Sequence, residues 1–179
     1  MRLLHVNAAY PPFTGGAEVY TEAMSRRFVA EGHDVTVVTT DAAEVEYFWN
    51  PRKRRLSAGS GQNNGVRIER CPVNHLPFSP WSFYILRRLA TTVGRWPALS
   101  APVLRGIAPL MPGVPDIAER LEGLTNGFDL VHGINVALEW PHIAAWRYAR
   151  SHGLPFVTTP FVHVGEGDRL DVLINYTMP

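Results

Sequence analysis

The N-terminal part of the chain alternates strand and helix patterns in an order that few folds accommodate. Residues 3–6 form a short, apolar and almost unbroken run, which is typical of a strand covered on both faces. Prolines and paired glycines in 10–16 forbid a helix and predict a tight loop. A helix pattern follows and ends at Gly32, and the valine-rich run 34–40 predicts a second strand. This order is a βαβ unit, whose two strands are parallel.

The same alternation continues along the chain and predicts the fold class. Strand patterns recur at 66–71, 128–132 and 154–159, and a further helix ends at Gly153. Residues 66–71 alternate apolar and charged side chains, which indicates a strand with one solvent-facing side at a sheet edge. We expect an α/β fold with a doubly wound parallel sheet and helices on both faces, forming a single Rossmann-like domain over 1–179.

Three further expectations concern individual segments. The first helix is amphipathic, and Tyr20, Met24 and Phe28 are expected on its apolar face. The stretch 41–65 changes from aromatic to basic and then to small polar residues, which predicts a mobile excursion. Five prolines interrupt 97–115, so this segment is predicted to be a variable insert that does not form one regular element throughout.

Charge and cysteine content exclude several classes of protein. Lys and Arg number 17 against 16 Asp and Glu, so the net charge of +1 gives no support for nucleic-acid binding. The single cysteine, Cys71, excludes an internal disulfide framework and the common structural zinc sites. The apolar run at the N-terminus is too short for a signal peptide or a membrane span, so we expect a cytoplasmic location. The basic run 52–55 beside the aromatic residues 47–49 leaves two interpretations open: peripheral contact with anionic lipid at the inner face of the membrane, or a solvated loop.

Three loops are candidates for a binding site, because ligands of doubly wound sheets bind beyond the carboxyl ends of strands where the strand order reverses. These loops are 8–16, 132–135 and 160–167, which can converge although they are distant in sequence. Gly15 and Gly16 directly precede the first helix, where bare backbone amides at the positive helix end suit a phosphate. The alternative is that the two glycines only close a turn.

Polar side chains in these segments have a functional and a structural interpretation. His163 follows the last predicted strand in a glycine-flanked turn, where its imidazole could bind a substrate hydroxyl or be satisfied within the fold. His132 has the same two interpretations, and His5 is expected to be packed and hydrogen-bonded inside its strand. Glu18 most simply complements the helix dipole, and Asn135 is a candidate cap for the next helix.

Two nucleotide-binding fingerprints are missing from the sequence. The loop after the first strand is long and contains prolines, and its glycines are adjacent and not spaced as GxGxxG, which disfavours a dinucleotide-dependent oxidoreductase. No GK[ST] follows any glycine cluster, which excludes a Walker loop.

Several ordered segments of the chain match a known sequence pattern. They are 2–6, Tyr10-Pro11-Pro12, Gly15-Gly16-Ala17-Glu18, 31–37, 129–133, and 155–160 together with His163. In this order and spacing they resemble the N-terminal domain of family 4 glycosyltransferases of the GT-B fold. The resemblance implies a retaining, hexosyltransferase-like enzyme that moves a sugar from a nucleotide-sugar donor to a sugar or lipid acceptor, without a cofactor or a required metal. The Pro-rich region 96–115 matches no motif of that family.

The resemblance also implies roles for individual residues. Gly15 and Gly16 would approach the donor phosphates, and His163 would be the catalytic residue that contacts the reacting sugar. The N-terminal domain of such an enzyme mainly holds the acceptor, and the expected acceptor-binding residues are Tyr10, Thr14, His132, Asn135 and Glu166.

A C-terminal donor-binding domain is required in this family and is expected as the partner of the present domain. We therefore expect the chain by itself to be inactive as a transferase. The alternative left open is a non-catalytic binding module that holds a phosphorylated or glycosylated ligand in the same crevice.

Overall fold

A six-stranded sheet forms the centre of the molecule. The structure, a computed structural model, describes residues 1–94, 96–107, 109–110, 113–124, 127–136 and 138–161. The strands are β1 (Arg2–Asn7), β2 (Asp34–Thr40), β3 (Gly59–Asn63), β4 (Val66–Cys71), β5 (Leu130–Ile134) and β6 (Phe156–Thr159). Their order across the sheet is β3-β4-β2-β1-β5-β6, in which β3 is antiparallel to β4 and all other neighbours are parallel. The expected α/β fold with a doubly wound sheet is confirmed.

Helices cover both faces of this sheet. They are α1 (Gly16–Ala30), α2 (Trp81–Val93), α3 (Pro97–Ile107), α4 (Ile117–Glu122) and α5 (Glu139–Ser151), with a short 3₁₀ helix at Val45–Phe48. Successive strand residues point to opposite faces. Leu3 therefore packs in a cluster with Phe28 of α1, whereas Leu4 packs in a second cluster with Leu121 of α4 and Ala145 of α5.

The helices α2 and α3 pack together beside the start of α5. Phe83 of α2, Leu104 of α3 and Ile143 of α5 belong to one small buried cluster. Arg87 of α2 also forms an ion pair of 2.8 Å with the fully buried Glu139 of α5. Within the described ranges, no helix has both the length and the apolar character needed to cross a membrane.

The buried face of α1 differs from the predicted one. Tyr20 is exposed and Phe28 is only half-buried, and the buried positions include Ala17, Thr21 and Ser25, each one turn after the last. Residues four apart lie on the same helix face, so the face towards the sheet is a stripe of small side chains. The large apolar residues lie beside this stripe.

Two other expectations about segments are wrong. β4 is not an edge strand, because β3 pairs with it along its length and occupies the edge. The stretch predicted as a mobile excursion thus contains a regular strand, and the aromatic side chains of Tyr47 and Phe48 are buried in the core. The proline-interrupted insert is not one regular element, as predicted, but its first part forms the helix α3, which accommodates Pro102 in its interior.

Candidate functional site

The strand order reverses between β1 and β5. Ligands of doubly wound sheets bind beyond the carboxyl edge at such a point, which is called the crevice below. Asn7 at the end of β1 is in register with Ile134 of β5, and Ile134 is in register with Thr159 of β6. The amide of Asn135 donates to the Thr159 carbonyl at 2.9 Å, which holds the loops after β5 and β6 together. The loops after β1, β5 and β6 therefore begin side by side, as the sequence predicts.

Two glycines mark the start of α1 at this crevice. Gly15 has an extended backbone with φ −164°, which any residue adopts, and Gly16 is exposed, with no atom within 4 Å of the position a Cβ would take. The turn itself therefore does not require glycine at either position. Because the first amides of a helix have no carbonyl partner within it, this end of α1 presents amide donors and the positive end of the helix dipole.

A carboxylate of the chain itself lies over this helix start. Glu18 is buried, and its side chain accepts a hydrogen bond from its own backbone amide. A Cβ added to Gly15 would collide with the Glu18 carboxylate. Burial raises the pKa of Glu18 above its ordinary value, more than its backbone hydrogen bond lowers it. An anionic group thus already occupies the space next to Gly15.

Asn7 fixes α1 to the end of β1. Its side-chain amide donates to the Thr21 hydroxyl at 2.9 Å and to the Ala17 carbonyl at 3.5 Å. All three residues are buried, so these bonds determine where the first turns of α1 lie relative to the crevice. Sequence reasoning missed this role, and the one available signal is a polar residue that interrupts the apolar run of β1.

The proline-containing loop after β1 is fixed by an arginine from β4. Arg70 donates from Nη2 to the Pro11 carbonyl at 2.6 Å, and burial lowers the pKa of its guanidinium. Tyr10 is buried, and burial, followed by the charge of Glu22, raises its pKa to about 12. Thr14, by contrast, is exposed at the rim. The sequence offers no signal for Arg70, because its partner is 59 residues away.

Two of the predicted polar residues lie in the strands and not at the open surface. His132 of β5 is buried, and its Nε2 lies 2.8 Å from the Thr159 hydroxyl. Burial lowers the pKa of His132 to about 4, so its imidazole is neutral at neutral pH. The His5 ring lies 5.2 Å from that of His132, and neither of its nitrogens has a hydrogen-bond partner among the described residues, so the structure does not show the expected hydrogen bond of His5.

The remaining candidate residues differ in how the structure places them. Asn135 lies in the left-handed region at φ +65°, a conformation that asparagine tolerates better than most residues. It does not cap α5, whose capping position is Leu138. His163 and Glu166 lie outside the described residues. Phe161, two positions before His163, packs edge-on against Tyr20 of α1 at 5.1 Å, so the chain reaches α1 near Gly16 at that point.

Among the residues that can be described, no group of three or more His, Cys, Asp or Glu side chains is placed to hold a metal ion.

Comparison with known proteins identifies the family. A family profile described as a glycosyl transferase 4-like domain matches residues 15–174. No curated protein sequence matches the chain. Among solved structures, the C-terminal domain of a hydrogenase from Pyrococcus furiosus is similar at 15% identity and a TM-score of 0.40, over 88% of this chain and 89% of that chain. This similarity is too low to indicate a shared fold or function. Because the family profile spans most of the sequence, the chain belongs to the glycosyl transferase 4-like family and is a glycosyltransferase domain.

Proposed function

We propose that this domain is the acceptor-side half of a retaining glycosyltransferase that uses a nucleotide-sugar donor and needs no metal. The observation that carries the proposal is the helix start at Gly15 and Gly16, which lies at the crevice where the strand order reverses. Neither glycine is required by its backbone conformation, and the space beside Gly16 is open. The close approach of a ligand group explains why Gly16 carries no side chain.

The donor diphosphate is the group that suits this helix start. Free amides and the positive end of the α1 dipole stabilise negative charge, and this charge grows on the diphosphate as the glycosidic bond breaks. The Glu18 carboxylate lies beside this helix start, so the phosphate displaces the carboxylate when it binds. A C-terminal donor-binding domain supplies the remaining nucleotide contacts.

The acceptor lies in the crevice, on the side of the transferred sugar that is opposite the diphosphate. Thr14 and Asn135 reach it from the loops after β1 and β5, while His132 acts through the Thr159 hydroxyl because its own ring is buried. Tyr10 shapes the loop from within. His163 contacts the reacting sugar, Glu166 contacts the acceptor, and Phe161 brings the preceding segment to α1.

The substitution Gly16→Ala tests the phosphate site without disturbing the fold, because nothing lies within 4 Å of the new methyl group. We expect it to weaken binding of a uridine diphosphate probe by about tenfold or more, measured by titration calorimetry on the chain. The matched control Gly61→Ala adds a methyl group in equally open space on the edge strand β3 and leaves binding unchanged. Equal affinity of Gly16→Ala and the unsubstituted chain, or no diphosphate binding at all, would contradict the proposed site.

Activity is tested by release of nucleoside diphosphate from a panel of nucleotide-sugars in the presence of membrane extract. The chain alone is expected to give no turnover, and the addition of its donor-binding domain is expected to restore it. NMR of the product then gives the anomeric configuration, and inversion would exclude the retaining mechanism. If donor turnover of the assembled protein is equal with and without His163→Ala, the domain is a binding module and His163 has no catalytic role.

A further inference from the structure

The outward side of α2 carries a continuous apolar stripe. Trp81, Ile85 and Leu89 follow one another at intervals of one turn and are 72%, 70% and 50% exposed. Tyr84 lies beside this stripe and is 49% exposed, and Phe78, just before the helix, is 90% exposed. Single exposed apolar residues are ordinary, but a contiguous patch of aromatic and aliphatic side chains marks an interaction surface.

The opposite side of α2 is already packed against the rest of the domain. Phe83 belongs to the buried cluster with Leu104, and the Trp49 ring stacks on Phe83 with centroids 5.8 Å apart. The ion pair between Arg87 and the buried Glu139 fixes the same side to α5. The exposed stripe is therefore not needed for the packing of the domain, and the helix that carries it is held in place.

The charge around the stripe has a single sign. From residue 71 to residue 115 the chain contains four arginines and no aspartate or glutamate. Arg88 on α2 and Arg105 on α3 are exposed, and neither forms an ion pair with any residue that the structure describes. The basic run 52–55 begins three residues after Trp49, which contacts α2, but its Arg54 pairs with Glu44. The unpaired positive charge therefore lies on α2 and α3, and it is complementary to an anionic surface.

We propose that α2 docks flat on an anionic lipid bilayer, with its apolar stripe among the headgroups and Arg88 and Arg105 at the lipid phosphates. Tryptophan and tyrosine favour the membrane interface because one end of each ring system is apolar and the other is polar. A helix with an apolar side and arginines beside it lies in the interface plane, because there its apolar side chains leave water and its arginines contact anionic lipid. This surface replaces the aromatic patch at 47–49 as the membrane contact, since Tyr47 and Phe48 are buried.

The helix that carries the docking surface is fixed to α5 next to the crevice. Arg87 binds the first residue of α5, and α5 follows β5 at the carboxyl edge where the crevice begins. With α2 on the bilayer, the crevice lies close to the lipid headgroups. On the proposed transferase function, an acceptor anchored in the lipid reaches the crevice without leaving the membrane. Docking itself is independent of the reaction and is measured without donor or acceptor.

Sedimentation of the chain with vesicles tests the docking surface. We expect binding to vesicles of phosphatidylcholine mixed with phosphatidylglycerol, and at least about tenfold weaker binding to pure phosphatidylcholine. Ile85→Ser/Leu89→Ser is expected to weaken binding to the mixed vesicles by about tenfold or more, because two exposed apolar side chains no longer enter the interface. The matched control Val19→Ser/Val157→Ser removes two exposed valines, on α1 and β6, and leaves binding unchanged.

A second pair of variants tests how much the arginine charge contributes to vesicle binding. Arg88→Gln is expected to weaken binding by about fivefold, and Arg150→Gln, at an exposed arginine of α5, is expected to have no effect. The circular dichroism spectrum and melting curve of each variant confirm that it is folded, which exposed positions permit. The proposal is overturned by equal binding to both vesicle types, by full binding of Ile85→Ser/Leu89→Ser, or by an absence of binding while the chain captures a purified donor-binding domain through α2. If vesicle binding is lost while uridine diphosphate still binds in the same preparations, the docking proposal fails and the proposed function is unaffected.

Discussion

Acidification should destabilise the folded chain through His5, and the substitution His5→Leu should remove that part of the effect. Burial, followed by the charge of His132, lowers the pKa of His5 from 6.5 to about 3. The unfolded chain therefore takes up a proton on His5 near pH 6.5, whereas the folded chain does not. A folded pKa below the unfolded one means that this contribution to stability is present above pH 6.5 and is lost as the pH falls.

The size of the effect follows from the two pKa values. Between about pH 7.5 and pH 5, proton uptake by the unfolded chain at His5 lowers the free energy of unfolding by about 2 kcal/mol. The variant His5→Leu lacks this uptake. It also no longer buries two ring nitrogens without partners, which adds about 1–3 kcal/mol of stability at neutral pH. The variant is thus about 1–3 kcal/mol more stable at neutral pH, and its advantage grows by about 2 kcal/mol at pH 5.

Urea unfolding followed by circular dichroism at several pH values measures the stability difference between the two proteins at neutral pH and its increase at acidic pH. Glu18 and Asp41, whose pKa values are raised by burial, respond to acid in the opposite direction, but they are present in both proteins and cancel in the difference. His152→Leu is the control, because His152 is exposed and its replacement leaves His5 in place. A stability difference between His5→Leu and the unsubstituted chain that stays constant from neutral to acidic pH would refute the reasoning.

Three other substitutions test the fold and the crevice. Gly133→Ala places a methyl group 2.7 and 2.8 Å from two aromatic rings, so its free energy of unfolding in urea should fall by about 1–3 kcal/mol. Arg87→Leu removes the ion pair with the buried Glu139 and should cost about 3 kcal/mol in the same assay, whereas Arg88→Leu on the exposed side should change stability by less than about 0.5 kcal/mol. Glu18→Gln removes the negative charge beside the helix start, so titration calorimetry should show tighter pyrophosphate binding, and weaker binding would mean that the carboxylate does not compete with phosphate.

The fold could be predicted from the sequence where hydrophobic periodicity determines the element. The apolar run of β1 and the valines of β2 belong to strands buried on both faces, and the intervening helix makes their parallel order almost unavoidable. The strand β3 could not be predicted in this way. Its residues 59–63 are glycine, serine, glutamine and asparagine, and only the ladder of hydrogen bonds to β4 makes them a strand.

The buried face of α1 shows a second limit of sequence reasoning. Periodicity assigns the inner face to the largest apolar residues, yet Ala17, Thr21 and Ser25 take that position. Thr21 is there because it accepts a hydrogen bond from Asn7 at the end of β1. A buried polar contact of this kind has no hydrophobic signal, although it determines how closely the helix approaches the sheet. The same holds for Arg70 and Pro11, whose contact is visible only in three dimensions.

The neighbouring positions of the loops after β1, β5 and β6 could be predicted, but the position of the Glu18 carboxylate among them could not. Gly15 and Gly16 are recognisable from their place before a helix, whereas the sequence indicates only that Glu18 is in the first turn of that helix. In the structure the Glu18 carboxylate lies against Gly15 with a raised pKa. Burial disfavours the charged form of this carboxylate, so the carboxylate is held there at an energetic cost, and that cost is relieved if the side chain leaves. Displacement by a phosphate therefore exchanges a poorly solvated carboxylate for an anion with more oxygens to accept the free amides, which makes occupation by Glu18 compatible with a phosphate site.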